Sequence, residues 1–511
     1  EHFLVERGLG CHTERSALAG HESGQDHMGL YLRNGNEYLE AMVAGYRARV
    51  APFNVNYRYV EEELLYLLTD SKARALVYSA EFAPNVASIR DRLPELTVLI
   101  QVADDTGNAL LPAAVDYESI VDTPAPAGGM PTPRGDDLYI LYTGGTTGMP
   151  KGVLWRQHDI FMSAMGGRPF LAAGEELKSY DDLVKQATEQ AGFRSLLLIP
   201  PLMHGAAQWG VFNTISSGGW IALPDNVRHL DADAVLRLAE RERVLSLPVV
   251  GDAMARPLLD LIETGDYDLS GLMGITNGGA PLSPTVRDRL LTALPNAFIM
   301  DAVGASESGA QMTTIATKGA ETKAATFTPL DDTTVVSADF SRVLQPGEGE
   351  GWLARREFVP LGYLGDAEKT ARTFPTIDGV RWSIPGDKAR LLADGQIELL
   401  GRDSVTINSG GEKIFAEEVE RAVASHPAVY DVVVAGRPSE RWGNEVVAIV
   451  EFAEGRSATD AELAEACKAH IADYKIPKAF IRTDKVLRSP AGKADYRWAK
   501  ALAAESLGAQ G

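Results

Sequence analysis

Cysteine is nearly absent. Cys11 and Cys467 are the only two in 511 residues and stand at opposite ends of the chain. That argues against a disulfide framework and a cysteine-built metal site, and it fits a reducing, cytoplasmic setting. Long apolar runs are missing too. No stretch reaches the roughly 18 residues of a membrane span, and no basic-then-apolar secretion signal opens the chain. Positive charge is in deficit: 49 Lys and Arg face 70 Asp and Glu, a net charge of -21. Broad binding to nucleic acid or to an anionic membrane is therefore disfavoured. A phosphate ligand is not, because a nest of backbone amides and one or two cations suffices to hold it. An initiating Met is lacking as well. Glu1 to Gly8 (EHFLVERG) reads as mid-helix, so a truncated amino end is expected.

What is present fits a soluble globular chain, with 45% hydrophobic and 23% charged residues. At about 100–200 residues per domain, two to four lobes are expected. Between about residues 29 and 310, β-rich runs such as Ala75–Tyr78, Thr97–Val102, Leu138–Tyr142, Ser195–Ile199, Trp220–Leu223 and Phe298–Asp301 alternate with helical patterns. This implies a parallel α/β sheet. One helix is marked by Val60, Leu64, Leu65, Leu67 and Leu68 on a shared face, with Glu61, Glu62 and Glu63 in its first turn. The Pro- and Gly-rich stretch Thr123–Arg134 reads as a loop between two subdomains. Gly166–Arg194 reads as a surface insertion with a helix near Asp181–Gln190. A hairpin with an Asp394-Gly395 turn precedes a change near residue 401. Beyond it the pattern is compact α+β: a helix at Ala416–Ser425, strands at Tyr430–Ala435 and Val446–Phe452, and a helix at Asp460–Tyr474 carrying Leu463, Cys467, Ile471 and Tyr474 on one face. The expected division is residues 1–401, a hinge at 402–404, and a small domain from 405 to 511.

The strongest chemical signal is Tyr142-Thr143-Gly144-Gly145-Thr146-Thr147-Gly148-Met149-Pro150-Lys151-Gly152. It follows a strand. Its glycines let the backbone approach an anion, and its hydroxyls and Lys151 supply donors. It is not a Walker A loop, because Lys151 lies between Pro150 and Gly152 with no hydroxyl following it for magnesium.

This run resembles the phosphate-binding signature of the adenylate-forming superfamily, whose members include acyl-CoA synthetases, firefly luciferases and peptide-synthetase adenylation domains. Further motifs of that superfamily occur in order along nearly the whole chain. Asp301-Ala302-Val303-Gly304-Ala305-Ser306-Glu307 is similar to the motif in which Glu holds magnesium and the hydroxyl contacts the adenylate phosphate. The match gives those roles to Glu307 and Ser306, with Val303 where an aromatic usually stands against adenine. Asp387, after Ile384-Pro385-Gly386, matches the ribose-binding Asp, and Arg402 matches the Arg that contacts ribose at the hinge. Gly411 in Asn408-Ser409-Gly410-Gly411-Glu412-Lys413 matches a glycine that lines the pantetheine tunnel. Lys493 in Arg488-Ser489-Pro490-Ala491-Gly492-Lys493 matches the Lys that meets both substrate carboxylate and α-phosphate. Pro201-Leu202-Met203-His204 resembles the wall of the acyl pocket, and Asn277-Gly278-Gly279-Ala280 its floor, with Gly279 and Ala280 also toward the nucleotide. Trp209, Val249 and Val250 add apolar wall. His204 lacks a second histidine at metal spacing, so it does not read as a zinc ligand.

The resemblance implies a large N-terminal adenylate-forming domain with parallel sheets and a small mobile α+β C-terminal domain. It implies an ATP-dependent acyl-CoA ligase using ATP, Mg2+ and coenzyme A as co-substrate. In that reading Lys493, Glu307 and Thr146 are catalytic, Glu307 is the metal ligand, and Thr143, Gly144, Gly145, Thr147, Gly148 and Lys151 hold the phosphates. Partners are small molecules, a homo-oligomer stays open, and neither nucleic acid nor a membrane span is involved. Asn34-Gly35-Asn36-Glu37-Tyr38, Pro52-Phe53-Asn54-Val55-Asn56-Tyr57 and Trp155-Arg156 resemble actinobacterial ligases of long-chain or steroid side-chain acids. The alternatives are an acyl-AMP ligase that loads a carrier protein and a non-catalytic nucleotide-binding regulator.

Overall fold

The computed structural model describes residues 1–143, 149–168, 176–320, 325–402, 405–409, 412–439, 443–488 and 492–506. Two large sheets carry the first 402 residues. In the eight-stranded sheet the strands His27–Tyr31, Ala51–Asn54, Ala73–Ser79, Val98–Val102, Ala114–Asp116 and Leu138–Thr143 run parallel. The edge formed by Lys151–Arg156 and Gly362–Tyr363 is antiparallel. The thirteen-stranded sheet is parallel from Trp220–Ala222 through Ser195–Leu197, Ser246–Val249 and Gly274–Gly278 to Phe298–Ala305, and antiparallel beyond. The expected parallel α/β sheets thus form the two centres, and both sheets are mixed overall. Strands covered by helices on both faces are near-continuous apolar runs, and the polar exceptions here, His27 and Gln101, are hydrogen-bonded. All five residues of His27–Tyr31 and of Val98–Val102 are buried.

After Arg402 the chain builds a separate unit. The strands Thr406–Ser409 and Glu412–Phe415 pair with each other. Val429–Ser439, Gly443–Phe452 and Ala479–Arg482 form a three-stranded sheet. The helices Ala416–Ala424 and Asp460–Lys468 share one core with Val432, Val434, Val446 and Ala448. Cys467 lies inside that core, and burial pushes its thiol up to about 11, so it is an inert packing residue.

Four local expectations are corrected. The helix with Glu61, Glu62 and Glu63 in its first turn spans Glu61–Asp70, but Val60 does not share its buried face. Val60 is its exposed N-cap, and its N–H donates to Glu63 Oε2. The helix predicted over Asp460–Tyr474 ends at Lys468, and a single 3-10 turn at Asp473–Lys475 leaves Tyr474 exposed while Ile471 stays buried. Thr123–Arg134 does not separate two subdomains, since Leu138–Thr143 rejoins the first sheet beside Ala51–Asn54. Gly166–Arg194 is more than a surface insertion. Its helix Tyr180–Glu189, capped by Ser179, contributes Gln186 to a cavity wall.

The seam between the sheets is held by a buried cation. Arg355 is 1% exposed. Its Nε and Nη2 donate to Asp332 Oδ2 at 3.1 and 2.8 Å, and its Nη1 donates to Ser163 Oγ and to the carbonyls of Ser308 and Ala310 at 2.5, 2.7 and 2.6 Å. One guanidinium therefore joins the strand Gly349–Arg356, the helix Gln157–Ala164 and the turn that follows Glu307. A buried ion is tolerated only when every donor is satisfied, and here each nitrogen has an acceptor. Arg355→Met would strand those acceptors and leave the Asp332 carboxylate to Arg168 and the Thr333 hydroxyl. The expected loss is about 3 kcal/mol, seen as a lower denaturation midpoint of the large lobe; an unchanged midpoint would contradict this role.

Candidate active site

A cavity of about 1330 Å³ runs along the parallel half of the second sheet. Successive side chains of a strand alternate between faces. The face presented to the cavity is Ser246 and Pro248, then Gly274, Thr276 and Gly278, then Phe298, Met300 and Ala302. The pairing aligns these as rungs: Ser246–Gly274–Phe298, then Pro248–Thr276–Met300, then Gly278–Ala302 beside Val250. At about 3.3 Å per residue, the floor from first to last rung measures about 13 Å. The roof comes from Trp209 and Asn213 on the helix Gly205–Ser216, and the far end from Gln186, Gln190 and Phe193.

At the near end, where the strands finish, the lining turns polar. The turn after Phe298–Ala305 presents Ser306 and Glu307. It is fastened at each residue: Ala305 N–H donates to Ser308 Oγ, the fully buried Trp155 donates its Nε1–H to Ser306 O at 2.9 Å, and Ser383 Oγ donates to Glu307 O at 2.5 Å. Glu307 Oε1 accepts from Tyr363 Oη at 2.8 Å. Burial, reinforced by the Glu307 charge, pushes the Tyr363 phenol up, so it remains a donor. Lys369 stands 4.0 Å above the Tyr363 ring and also lines the cavity. Glu307 is the only carboxylate among the described lining residues, and the described residues contain no group of three or more His, Cys, Asp or Glu poised for a metal. This donor set fits a magnesium ion that takes one protein carboxylate and fills its remaining positions with phosphate oxygens and water.

His204 sits opposite, at the N-cap of the helix Gly205–Ser216. Two amides, the buried Asn54 and the half-buried Asn34, hold its segment to the first sheet. Asn54 Nδ2 donates to Met203 O and Tyr142 O, while its Oδ1 accepts from Tyr142 N–H; Asn34 bridges Pro200 O and Leu202 N–H in the same manner. These two residues lie in the runs that suggested the substrate class, and their visible work is to position this wall. His204 Nε2 is buried with no hydrogen-bond partner among the described residues. Lys493, beyond the strand Ala479–Arg482, reaches the same cavity.

The cavity thus brings together Thr143, His204, Trp209, Val250, Asn277, Gly278, Gly279, Val303, Gly304, Ser306, Glu307 and Lys493, twelve of the residues expected in the site. Others stand outside its lining. Asp301 accepts from Asn277 Nδ2 at 2.8 Å and faces Arg287 at 3.8 Å, and so braces the strand ends. Ala280 O takes the other bond of the same amide. Lys151 lies between Asp70 and Asp366, at 3.9 and 3.8 Å. Asp387 is buried one residue beyond the lining residue Gly386, opposite Arg402 in the register. Gly144, Gly145, Thr146, Thr147, Gly148 and Gly411, the hinge residues 403–404 and the Arg402 side chain lie outside the described residues. Sequence reasoning misses Tyr363, Lys369 and Arg355, and it singles out Trp155 only as part of the Trp155-Arg156 run. Tyr363 and Glu307 are 56 residues apart, and no local pattern links them.

Burial, with added repulsion from Lys493 and Arg58, pushes His204 down to about 4. The folded group therefore stays neutral while the unfolded one, with its pKa of about 6.5, takes a proton. The stability it contributes is fully present above about pH 6.5 and is lost as pH falls toward 4. Imidazole NMR is expected to show His204 neutral at about pH 5.5, with a lower midpoint that rises in Lys493→Ala. A midpoint near 6.5 in the unaltered protein would contradict this placement.

Comparison with known proteins follows the same lines. The model of the AMP-binding enzyme family matches residues 16–364, and that of the AMP-binding enzyme C-terminal domain matches residues 418–493. The chain is 58% identical to the medium-chain acyl-CoA ligase Mig of Mycobacterium avium, over 98% of this chain and 90% of that one. It is 41% identical to the 3-oxocholest-4-en-26-oate–CoA ligase of Rhodococcus rhodochrous, over 98% of this chain and 88% of that one. Among solved structures, ATP-bound MatB of Rhodopseudomonas palustris superposes with a TM-score of 0.77 at 22% identity, over 98% of this chain and 90% of that one, which is a likeness of fold. By its family match along most of its length and by these full-length relatives, the chain belongs to the AMP-binding enzymes and, within them, to the acyl-CoA ligases.

Proposed function

We propose that the cavity activates an apolar carboxylic acid of medium or greater length, steroid side-chain acids included, as an acyl-adenylate and passes the acyl group to coenzyme A. The observation that carries this reading is the polarity of one continuous cavity: a rung-lined floor of about 13 Å leads to a cluster of Ser306, Glu307, His204 and Lys493. A pocket for one drug-sized ligand is about 300–1,000 Å³, so 1330 Å³ accommodates an acyl chain and a nucleotide together. The relatives named for medium-chain and steroid acids support the same class.

In this reading the acid's tail lies over Thr276 and Gly274, and its carboxylate sits between His204 and Lys493. Neutral His204 can hydrogen-bond a carboxylate without competing for its charge-compensating partner. A carboxylate oxygen attacks the α-phosphorus of ATP and pyrophosphate leaves. Lys493 offsets the negative charge gathering between the two reactants, and Ser306 and Lys369 are donors on the phosphate side. This is positioning with electrostatic stabilisation. Glu307 is the residue that would hold a magnesium ion, which neutralises phosphate charge when bound. The thiol of coenzyme A then attacks the acyl carbon and AMP departs. Residues 1–401 and 405–511 act as two bodies about a hinge at 402–404, with the Gly411 loop replacing Lys493 for the second step.

Mass spectrometry of AMP and acyl-CoA released from ATP, magnesium and a panel of acids, with and without coenzyme A, tests the reaction. Thioester from medium-chain, long-chain or sterol acids is expected; adenylate formation that never yields thioester would redirect the reading to a carrier-protein acceptor. Lys493→Ala is expected to slow adenylation on the order of 10²–10³-fold while largely sparing thioester formation from supplied acyl-AMP. Thr276→Phe places bulk on the middle rung. The specificity constant for acids that reach beyond it should fall tenfold or more, with short acids retained, and an unchanged chain-length profile would move the acyl chain elsewhere.

A further inference from the structure

Lys493 projects from the small C-terminal unit into a cavity built by the large lobe, so something must hold the two together when adenylation occurs. We propose that Arg256 and Tyr430 form a latch that positions Lys493 in the cavity. The inference rests on the role given to Lys493 above.

Arg256 belongs to the helix Gly251–Thr264, whose N-cap Val250 is part of the cavity wall. Its guanidinium donates from Nη2 to Asp252 Oδ2 at 2.7 Å, one turn back on the same helix. Asp252 Oδ1 in turn accepts from Ser283 N–H, so the carboxylate that aims Arg256 is itself fixed. Arg256 is only 12% exposed on its side chain, and its Nε is buried with no hydrogen-bond partner among the described residues. The face of the guanidinium lies 4.6 Å from the centroid of the Tyr430 ring, across the boundary between the two units. A cation over an aromatic face is attracted by the ring quadrupole, more strongly when both are shielded from water.

Tyr430 is the second residue of the strand Val429–Ser439. The next residue, Asp431, accepts from Arg488 Nε and Nη2, both at 2.7 Å, in the two-pronged geometry that fixes a guanidinium plane. Arg488 Nη1 donates to Gly492 O at 3.1 Å, immediately before Lys493. Gly492 has φ +69°, and a Cβ there would come within 2.7 Å of Val250 O. Only glycine lets the loop pass so close to the large lobe. The contacts form a closed circuit from Val250 along its helix to Arg256, across to Tyr430, through Asp431 and Arg488 to Gly492, and back to Val250. Arg256–Tyr430 and Gly492–Val250 are its two crossings between the units. The second requires close approach, and the first supplies attraction. Arg256 is absent from the cavity lining, so it acts through Lys493 and not on substrate.

The test separates the half-reactions. In Arg256→Met and in Tyr430→Leu, ATP–pyrophosphate exchange should fall roughly tenfold, while thioester formation from supplied acyl-AMP is unchanged. Tyr430→Phe keeps the ring and Arg256→Lys keeps a cation, so both should retain most of the exchange rate. The double variant Arg256→Met with Tyr430→Leu should be no slower than either alone, because the two side chains act as one contact. Equal loss of both half-reactions, no loss in either, additive losses in the double variant, or Tyr430→Phe as impaired as Tyr430→Leu would each overturn the latch. Lys493→Ala serves as the reference. If it splits the half-reactions and the latch variants do not, the latch alone is wrong; if it impairs both equally, the role of Lys493 fails and the latch with it.

Discussion

The site depends on a charge that never meets solvent. Arg355 and Asp332 form a buried ion pair whose remaining donors close on Ser163, Ser308 and Ala310. Removing ions from water is expensive, and packed apolar residues could fill the same volume at no greater cost in stability. What apolar residues could not do is grip two backbone carbonyls directly after Glu307. Gly309 fits this arrangement, with φ +68° and the Ser163 hydroxyl pressed where a Cβ would stand. With Trp155 holding Ser306 O and Ser383 holding Glu307 O, the turn that presents Glu307 is tied to both sheets. A rigid, pre-aimed carboxylate and hydroxyl need no reorganisation when charge develops beside them.

The acyl half of the cavity follows from a simpler rule. Alternation along three parallel strands exposes one face to the cavity, with small residues Ser246, Gly274, Gly278 and Ala302 set among Pro248, Thr276, Phe298 and Met300. Helices roof this floor, and the strand ends deliver it to the polar cluster. The position agrees with the general tendency of open α/β sheets to bind ligands at the carboxyl ends of their strands. The amides of Asn34 and Asn54 then tether the His204 wall to the neighbouring sheet, so the two sheets share one cavity.

Much of this was legible in the sequence because it is written in local runs. The strands Leu138–Thr143 and Phe298–Ala305, the hairpin around Asp394-Gly395 and the small α+β unit after residue 402 all have short-range signatures, and so do the runs that supply Thr143, Ser306, Glu307 and Lys493. What could not be read is tertiary. Tyr363 meets Glu307 only because an antiparallel edge strand, Gly362–Tyr363, is laid against Lys151–Arg156. Arg355 looks like any strand arginine until three elements close over it. The bond from Asn277 to Asp301 joins neighbouring strands 24 residues apart in sequence, which no local run shows. The helix around Tyr180–Glu189 read as a solvated insertion because its pattern is polar, and its role appears only where Gln186 meets the end of the cavity.

The central claim is that one continuous cavity seats the acyl chain along the rungs and the adenylate phosphate between Lys493 and the Ser306–Glu307 turn. The most direct measurement is a crystal structure with a non-hydrolysable acyl-sulfamoyl adenosine carrying a medium-length chain. The account predicts the sulfamoyl group within hydrogen-bonding distance of Lys493 and Ser306, and the chain running over Thr276 toward Gly274. A chain that leaves the sheet at Val250 and lies in another groove, or a sulfamoyl group distant from Lys493, would contradict it.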